Sequence, residues 1–304
     1  MTVREPGPVS RAVAGVALAA LTAAGCTTAA GPGGATPTVR SRPASAAASS
    51  PGPDAGSSPG PDSASGDSFG WSRERLRGAL GRQTGVTRTA KPTVLNGLVG
   101  AVFTRNADGD HFCTASVVDS AGLNLIVTAA HCVWDPRLGQ RSDLVFVPGY
   151  RDGDTPSGVW PLLAVTVDQA WKDDADPDVD VAFAVVQPQN GQQVQQVLGA
   201  NRLGVDRGYR LEVKVTGYPG TSEVPITCSN TTSEQSPTQL RIDCPDWTGG
   251  TSGSPWVTDF DPDSRTGTVV GVIGGYQEGG DSPDTSYSSY FGDRVQALYD
   301  RATG

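Results

Sequence analysis

From about Val94 onward, short runs of apolar and β-branched residues alternate with stretches rich in Gly, Asp and Pro. Such runs between turn-forming residues are typical of β-strands. The runs long enough for a strand are Leu98 to Phe103, Phe112 to Val118, Leu125 to Ala129, Leu144 to Val147, Leu162 to Val167, Val181 to Val186, Leu211 to Thr216, Gln239 to Cys244, Val269 to Ile273 and Tyr287 to Phe291. Many short strands predict an all-β sandwich or barrel, and about 210 residues suffice for one β-protein with two sub-barrels.

Helical periodicity is confined to two places in the sequence. Near the C-terminus, Arg294 to Arg301 carries apolar residues on one helical face, which predicts a C-terminal helix. A second pattern, Trp71 to Leu80, is weakened by an internal glycine, Gly78, because glycine disfavours a helix interior. We therefore interpret residues 69–93 as a linker or pro-segment and residues 94–304 as the folded domain.

The N-terminus has the layout of a secretory signal peptide. Two arginines precede the small-residue apolar stretch Ala12 to Leu21, and the tetrapeptide Ala-Ala-Gly-Cys follows at positions 23–26. This tetrapeptide resembles a bacterial lipobox, in which the signal peptidase cuts before a cysteine acylated on sulfur. We therefore expect residues 1–26 to act as a signal peptide and Cys26 to be lipidated. The alternative is ordinary cleavage at the Ala-rich stretch, with Cys26 incidental.

Residues 27–68 consist almost entirely of Ala, Gly, Pro, Ser and Thr with a few Asp. This composition offers too little apolar surface to offset the entropy lost on ordering, so it predicts a disordered tether. No apolar run in the chain reaches the about 18 to 20 residues that a membrane-spanning helix needs. Any membrane attachment should therefore come from a lipid on Cys26.

The charge distribution argues against one class of function. Residues 94–304 carry 13 basic and 27 acidic side chains, whereas residues 1–93 carry 10 basic and 5 acidic ones. Affinity for nucleic acids depends mainly on Lys and Arg residues that neutralise phosphates. The acidic domain is therefore not expected to bind nucleic acid or anionic lipid headgroups.

The chain has five cysteines, at positions 26, 113, 132, 228 and 244. In an oxidising exported compartment four of them can pair and one is left over. Lipidation of Cys26 accounts for the odd one. The cysteine count therefore agrees with an extracytoplasmic protein, either anchored at the cell surface or secreted.

Three segments contain residue types that could carry chemistry. His131, one of two histidines, directly follows an apolar strand; Asp180 immediately precedes another; Ser252 lies in the glycine-rich bend Gly249 to Pro255. A serine hydroxyl is a weak nucleophile unless an imidazole accepts its proton, and a carboxylate can orient that imidazole. Each residue taken singly is more often structural, but together they indicate nucleophilic catalysis. Asp178 is the alternative to Asp180 for the acid.

The order His, Asp, Ser with these flanking residues resembles the chymotrypsin-like (trypsin-fold) serine proteases, and Gly-Thr-Ser-Gly-Ser-Pro is most similar to their bacterial glutamyl-endopeptidase branch. The resemblance covers residues 94–304 and implies two antiparallel β-barrels with the active site between them. It implies that His131 is the general base, that Asp180 orients it and that Ser252 is the nucleophile. It also assigns the oxyanion donors to the backbone N–H groups of Gly250 and Ser252. The α/β-hydrolases and the subtilisins use a different order of catalytic residues along the chain.

The resemblance further implies a disulfide between Cys113 and Cys132, which brackets the histidine loop. Cys228 and Cys244 match no named disulfide of the family and pair with each other by default. The position directly before the nucleophile is Thr251, where trypsin-like enzymes keep an Asp that binds a new N-terminal amine. Activation through that salt bridge is therefore not expected.

The resemblance also places the specificity pocket. The segment Ile273, Gly274, Gly275 and Tyr276 is expected to pair with an extended substrate as an added strand and to frame the pocket. Ile273 replaces the histidine with which glutamyl endopeptidases bind a substrate carboxylate. The side chain before the scissile bond is therefore predicted to be neutral, apolar or small. Arg or Lys is the runner-up if Asp246 reaches the pocket floor.

The sequence contains no Cys/His cluster with metal-ligand spacing and no Gly-rich phosphate loop, so neither a metal nor a cofactor is expected. We therefore expect a secreted, monomeric serine endopeptidase that acts on polypeptide substrates. The alternative is a catalytically silent, surface-anchored binding module on the same fold.

Overall fold

The computed structural model describes residues 84–106 and 109–304, with the backbone only at residues 105–106 and 109–112. The predicted signal peptide with Cys26, the linker 27–68 and residues 69–83 lie outside this part of the chain. Within it, none of the helices is long and apolar enough to cross a membrane.

The described residues form 17 strands and five α-helices, numbered along the chain. The strands are β1 (Arg88–Thr89), β2 (Val99–Asn106), β3 (Gly109–Val118), β4 (Leu125–Thr128), β5 (Trp134–Asp135), β6 (Gly139–Gln140), β7 (Val145–Pro148), β8 (Trp160–Val167), β9 (Ala182–Val186), β10 (Arg202–Leu203), β11 (Glu212–Gly217), β12 (Ile226–Thr231), β13 (Ser233–Ser236), β14 (Gln239–Asp243), β15 (Pro255–Asp261), β16 (Thr266–Val272) and β17 (Thr285–Ser289). The helices are α1 (Val94–Gly97), α2 (Ala130–Val133), α3 (Gln169–Asp174), α4 (Val194–Leu198) and α5 (Asp293–Thr303), and 3₁₀ turns occur at Pro177–Val179 and Tyr276–Gly279.

Six antiparallel strands of the N-terminal half close into a barrel in the order β2-β3-β4-β9-β8-β7. Its interior is filled by large buried side chains such as Phe146 and Trp160. Both faces of β4 are buried, because Ile126 belongs to the barrel core while Leu125 and Val127 pack in a second cluster with the C-terminal helix. Since successive side chains of a strand face opposite sides, this explains the continuous apolar run at β4.

The C-terminal half consists of two sheets that share one core. A six-stranded sheet has the order β1-β12-β11-β15-β16-β10, and a three-stranded sheet has the order β13-β14-β17. Val215 and Trp256 of the first sheet pack in one cluster with Leu240 and Ile242 of the second. The Cys228–Cys244 disulfide also joins the two sheets, from β12 to the residue after β14.

The predicted fold class is confirmed, since the domain is mostly β-structure with a closed six-stranded barrel and the C-terminal helix α5. Each predicted strand overlaps an observed one. The two-residue strands β1, β5, β6 and β10 were not predicted, and neither were β12, β13 and β15. β12 is rich in Ser, Asn and Thr, and β15 contains a proline and two aspartates. Helices α1 to α4 were also missed, because their four to six residues are too few to leave a helical period in the sequence.

The described residues that precede Val94, at which the sequence analysis placed the start of the domain, also pack on the C-terminal half. β1 pairs with β12, the Gly85 N–H donates to the Asp243 carbonyl at 2.9 Å, and Ala90 is buried. A Cβ at position 85 would lie 2.3 Å from Cys228 Sγ, so Gly85 packs directly on the second disulfide. The sequence gives no sign of this, because the segment contains no run of apolar or β-branched residues.

Candidate active site

His131 is held at the edge of the closed barrel by a strand, a short helix and a disulfide. β4 ends at Thr128, and α2, which carries His131, follows after one residue. The neighbouring Cys132 is bonded to Cys113 on β3, the strand that pairs with β4. Because the disulfide attaches α2 to the barrel wall, the histidine has little freedom to move. Its side chain is 14% exposed, so part of the ring remains accessible.

Asp180 lies between the 3₁₀ turn Pro177–Val179 and β9 and is fully buried. Its Oδ2 atom is 2.8 Å from His131 Nδ1 and accepts the Gly275 N–H at 2.9 Å. Its Oδ1 atom accepts the backbone N–H of His131 at 3.0 Å. Three donors therefore fix one carboxylate. Asp178, the alternative acid, instead accepts a hydrogen bond from a glutamine side chain.

The contact between Asp180 and His131 sets the tautomer of the imidazole. A carboxylate only accepts hydrogen bonds, so the proton in the 2.8 Å contact belongs to Nδ1. In the neutral ring, Nε2 is then an acceptor. The histidine can therefore take up a proton at Nε2, and the positive charge that forms lies beside a buried carboxylate.

Opposing effects act on the pKa of His131. Burial of the ring lowers this pKa, but the charge of Asp180, the hydrogen bond to it and the charge of Glu278 raise it, against a small lowering by Arg141. The net result is a pKa above the usual value of 6.5. The imidazole therefore becomes a neutral base only as the pH rises through this raised pKa.

Ser252 lies in the loop between β14 and β15, and this loop is packed against the first barrel. The Ser252 carbonyl accepts the Thr114 N–H at 2.7 Å. The next residue, Gly253, has a φ of +81°, and a Cβ there would lie 2.1 Å from the Thr114 carbonyl oxygen and 3.1 Å from the Ala129 nitrogen. Only glycine fits at this position, so the loop lies directly against the residue that caps the helix of His131.

The glycine-rich motif contains two serines, and the structure distinguishes them. Ser254 is fully buried, and its hydroxyl donates to the Thr251 carbonyl at 2.6 Å. Ser252 is half-buried and lines a cavity, so its hydroxyl is the accessible one. In the described part of the chain this hydroxyl is not hydrogen-bonded to His131. Such bonds are often long without substrate and tighten only when it binds.

Two backbone N–H groups of this loop, those of Gly250 and Ser252, donate to no acceptor among the described residues. The carbonyl before Gly250 accepts the Gly220 N–H at 2.6 Å, and the carbonyl before Ser252 accepts the Ser254 N–H at 3.0 Å. The C=O and N–H of a trans peptide point in opposite directions, so each bonded carbonyl leaves the N–H of the following residue pointing away from the donor that the carbonyl binds. Gly250 has a φ of +94°, a conformation that favours glycine.

A cavity of about 310 Å³ opens beside Ser252. Trp247 and Ile273, both buried, form its apolar part, and Glu278 and Asp281 are its only charged lining residues within the described part of the chain. The remaining lining residues are Thr248, Gly249, Thr251, Gly279, Gly280, Ser282, Pro283 and Ser286. The cavity thus combines an apolar wall with two exposed carboxylates.

The lining differs from the expected pocket at one residue in particular. Ile273 lines the cavity as the resemblance implies, but Asp246 does not. Asp246 is exposed and has a φ of +69°, and the buried Trp247 that follows it occupies the cavity wall instead. Asp246 was expected to select a basic side chain only if it reached the pocket floor, and in this structure it does not line the cavity. Glu278 and Asp281, which the sequence analysis did not name, supply the negative charge.

The segment Ile273 to Tyr276 also differs from the expected open strand. β16 ends at Val272, and Tyr276 begins a 3₁₀ turn. The four N–H groups of the segment all donate to protein acceptors, which are the carbonyls of Ser254 and Tyr287, the carboxylate of Asp180 and the side chain of Gln239. The Gly274 carbonyl receives no hydrogen bond from any described residue. Backbone pairing with a substrate is therefore restricted to acceptors of this segment, because Gly275 and Tyr276 use their donors internally.

Thr114 is a site residue that the sequence analysis missed. It is fully buried, its hydroxyl donates to the Gly250 carbonyl at 3.2 Å and accepts the Tyr218 N–H at 2.9 Å, and its own N–H binds Ser252. Thr114 thereby holds the loop of Ser252 on the first barrel. A threonine in a strand next to a cysteine carries no sequence signal for this role.

Within the described residues, one group of potential metal ligands lies close together, namely Cys113, His131 and Cys132. Both cysteines are bonded to each other, so neither sulfur is a thiolate ligand. The imidazole is engaged by Asp180. This donor set does not fit a metal ion.

Comparisons with known proteins agree with this architecture. No protein-family model matches the chain, and no curated protein matches its sequence. Among solved structures, the chain is similar to the protease Anisep from Arthrobacter nicotinovorans, with 27% identity and a TM-score of 0.62, over 71% of this chain and 99% of that one. It is also similar to the thermostable serine protease AL20 from an extremophilic microorganism, with 28% identity and a TM-score of 0.62, over 68% of this chain and 97% of that one.

A Glu endopeptidase matches with 16% identity and a TM-score of 0.58, over 73% of this chain and 97% of that one, which is a likeness of fold. These matches confirm the resemblance to the chymotrypsin-like serine proteases and the fold that it implies. They support a serine peptidase at this general level.

Proposed function

We propose that this chain, which has the fold of the chymotrypsin-like serine proteases, is an endopeptidase that cleaves polypeptides through Ser252, His131 and Asp180. The observation that carries the proposal is the buried Asp180 carboxylate bonded to His131 Nδ1 at 2.8 Å. It leaves Nε2 of a partly exposed imidazole as a base. An accessible serine and two unpaired N–H groups lie on a loop packed against the same helix.

In the proposed reaction, His131 Nε2 accepts the proton of the Ser252 hydroxyl as Oγ attacks the carbonyl carbon of the scissile bond. The oxyanion of the tetrahedral intermediate accepts hydrogen bonds from the N–H groups of Gly250 and Ser252. The protonated imidazole gives its proton to the leaving amine, and the acyl-enzyme forms. Water then repeats the sequence with His131 as the base, which releases the acid product and regenerates the serine.

A fluorophosphonate probe tests the nucleophile directly, because it phosphonylates only an activated serine. We expect stoichiometric labelling of the wild-type protein and none of Ser252→Ala. The matched control is Ser264→Ala, on an exposed turn, which should label like the wild type. If Ser252→Ala is labelled, the nucleophile is elsewhere. If the folded wild type is not labelled, the catalytically silent binding module is the better description.

For specificity, we propose that the substrate residue directly before the scissile bond is neutral, apolar or small, and that Arg or Lys at the same position is the second preference. Ile273 offers no partner to an acidic side chain in the cavity, and burying an unpartnered carboxylate is costly. The carboxylates of Glu278 and Asp281 would also repel it. These two residues, rather than Asp246, are the groups that a basic side chain would meet.

The preference for a neutral over an acidic side chain can be measured with two peptides that differ only in having Gln or Glu directly before the scissile bond. We expect kcat/KM to be lower for the Glu peptide by about 10-fold or more, which corresponds to about 1.4 kcal/mol. Glu278→Gln should reduce the difference in kcat/KM between the two peptides. The control Glu234→Gln, at an exposed position on β13, should leave that difference unchanged. Because both carboxylates are exposed, added salt should also narrow it. Preferred cleavage after Glu would contradict the proposal.

We also propose that the protein is exported and anchored by a lipid on Cys26. The two disulfides support an oxidising compartment for the folded domain. We expect the native protein to partition into the detergent phase and Cys26→Ser to move to the aqueous phase or remain unprocessed. Equal detergent partitioning of both would contradict lipidation of Cys26.

A further inference from the structure

One buried side chain outside the proposed triad connects the acid to the substrate-binding segment. Gln239 is the first residue of β14 and is 4% exposed. Its Nε2 atom donates to the Pro177 carbonyl and to Asp178 Oδ1, both at 2.9 Å. Its Oε1 atom accepts the Tyr276 N–H at 3.1 Å. Both amide hydrogens and the amide oxygen are therefore used.

The orientation of this amide is determined by its neighbours. A carbonyl and a carboxylate can only accept hydrogen bonds, and a backbone N–H can only donate one. The flipped amide would therefore face like groups at all three contacts. A side chain that satisfies three partners while buried is rigid, because losing any contact would leave a buried polar group unpaired.

Together with the bonds of Asp180, these contacts form a closed ring of hydrogen bonds. Pro177 and Asp178 belong to the 3₁₀ turn that ends directly before Asp180. Asp180 Oδ2 accepts the Gly275 N–H, and the next N–H along the chain, that of Tyr276, binds Gln239. Two successive N–H groups of the substrate-binding segment are thus held by the acid and by Gln239. Any shift of the turn relative to this segment would break at least one of these bonds.

The backbone of the segment is adapted to the same side chain. Gly275 has a φ of +79°, and a Cβ there would lie 2.4 Å from Gln239 Oε1. Only glycine permits both the backbone conformation and the close approach of the amide oxygen. The Ser289 hydroxyl also donates to the Pro177 carbonyl at 2.9 Å, so this carbonyl is held from two sides.

We propose that Gln239 is a positioning residue, which sets Asp180 against His131 and couples that geometry to the segment Ile273 to Tyr276. It touches neither the substrate nor the reacting atoms. This role rests on the proposed protease function. Its effect is to hold the carboxylate at the distance where it raises the basicity of the imidazole, because displacements of about 1 Å in such a site can cost about 100-fold in rate.

The test uses Gln239→Leu, which removes all three contacts at similar size, and Gln235→Leu, an exposed glutamine on the neighbouring strand β13, as the matched control. We expect Gln239→Leu to lower kcat/KM by about 10- to 100-fold and Gln235→Leu to leave it unchanged. The acid limb of the pH profile of kcat/KM should move to lower pH in Gln239→Leu, because Asp180 then raises the pKa of His131 less. A merely structural role would lower the melting temperature and leave this limb in place.

A second pair of variants keeps the test decisive if Gln239→Leu does not fold. Gln239→Glu preserves the shape but places a carboxylate against Asp178, and it should reduce kcat/KM similarly. Adding Asp178→Asn supplies a donor at that contact, so the double variant should recover at least about 3-fold over Gln239→Glu.

The outcomes separate this proposal from the proposed function. If the wild type cleaves peptides with dependence on Ser252, but Gln239→Leu or Gln239→Glu has the wild-type kcat/KM and pH profile, Gln239 is not a positioning residue. A double variant without recovery over Gln239→Glu overturns the coupling through Asp178. If the wild type neither labels nor cleaves, the protease function itself fails, and the positioning role fails with it.

Discussion

Ser252→Ala should lower kcat by about 10⁶-fold while leaving KM for a good peptide substrate nearly unchanged. The reason is that Ser252 is the accessible hydroxyl of the motif, whereas Ser254 is buried and bonded to a carbonyl. Alanine keeps the backbone of the loop, so the N–H groups of Gly250 and position 252 remain available as the proposed oxyanion donors. The activity that remains should come from binding and these donors alone.

The measurement is steady-state hydrolysis of a fluorogenic peptide by the purified domain, with Ser264→Ala purified and assayed in parallel. The unfolding transitions of all three proteins should agree closely, because Ser252 is half-buried and its hydroxyl forms no hydrogen bond within the described residues. A loss below about 10-fold in Ser252→Ala would mean that the bulk of hydrolysis uses another group or comes from a contaminating protease.

The all-β fold could be predicted because its strands leave a local signal in the sequence. Runs such as Leu125 to Val127 are apolar at every position, since β4 is buried on both faces. The candidate site could be located in the sequence for a similar reason. His131 and Ser252 each lie in short motifs, and Asp180 lies directly before a buried strand, so local sequence indicates residues that the fold brings to one place.

The remaining part of the site depends on contacts between distant parts of the chain. Thr114 and Gln239 act through hydrogen bonds to residues 136 and 62 positions away, respectively, and neither has a local motif. Glu278 reaches the cavity because Gln277 and Glu278 both adopt left-handed backbone conformations, with φ of 53° and 52°. Such conformations are uncommon outside glycine, and a sequence pattern does not reveal them.

The cavity beside Ser252 differs from the expectation drawn from residue positions in the sequence. Asp246 was expected to favour a basic side chain if it reached the pocket floor, but it has a left-handed φ, and the next residue, Trp247, lines the cavity instead. The segment after β16 was likewise expected to offer an open backbone. Its donors are used by Asp180, Gln239 and two carbonyls, and these acceptors come from other parts of the chain.

The second large effect is expected for Asp180→Asn, which should lower kcat/KM by about 10⁴-fold near neutral pH. The carboxylate accepts three N–H donors, two of them at Oδ2. The asparagine amide has only one oxygen, so its NH₂ group must replace one of the two carboxylate oxygens. In the first orientation the NH₂ group faces the backbone N–H of His131. In the second it faces the imidazole ring and the Gly275 N–H. The second orientation makes Nδ1 an acceptor and places the ring proton on Nε2, where it can no longer accept the proton of Ser252.

The pH dependence distinguishes this explanation from general damage to the site. In the proposed mechanism neutral His131 is the active form, so wild-type kcat/KM should rise with pH through a pKa that Asp180 holds above about 6.5. Without the carboxylate, burial of the ring is the largest remaining effect and lowers that pKa, so the acid limb of the residual activity should move to lower pH. Asp246→Asn, an exposed residue outside the cavity, should keep both the rate and the limb of the wild type. If Asp180→Asn had the same acid limb of kcat/KM as the wild type, a carboxylate other than Asp180 would be raising the pKa of His131.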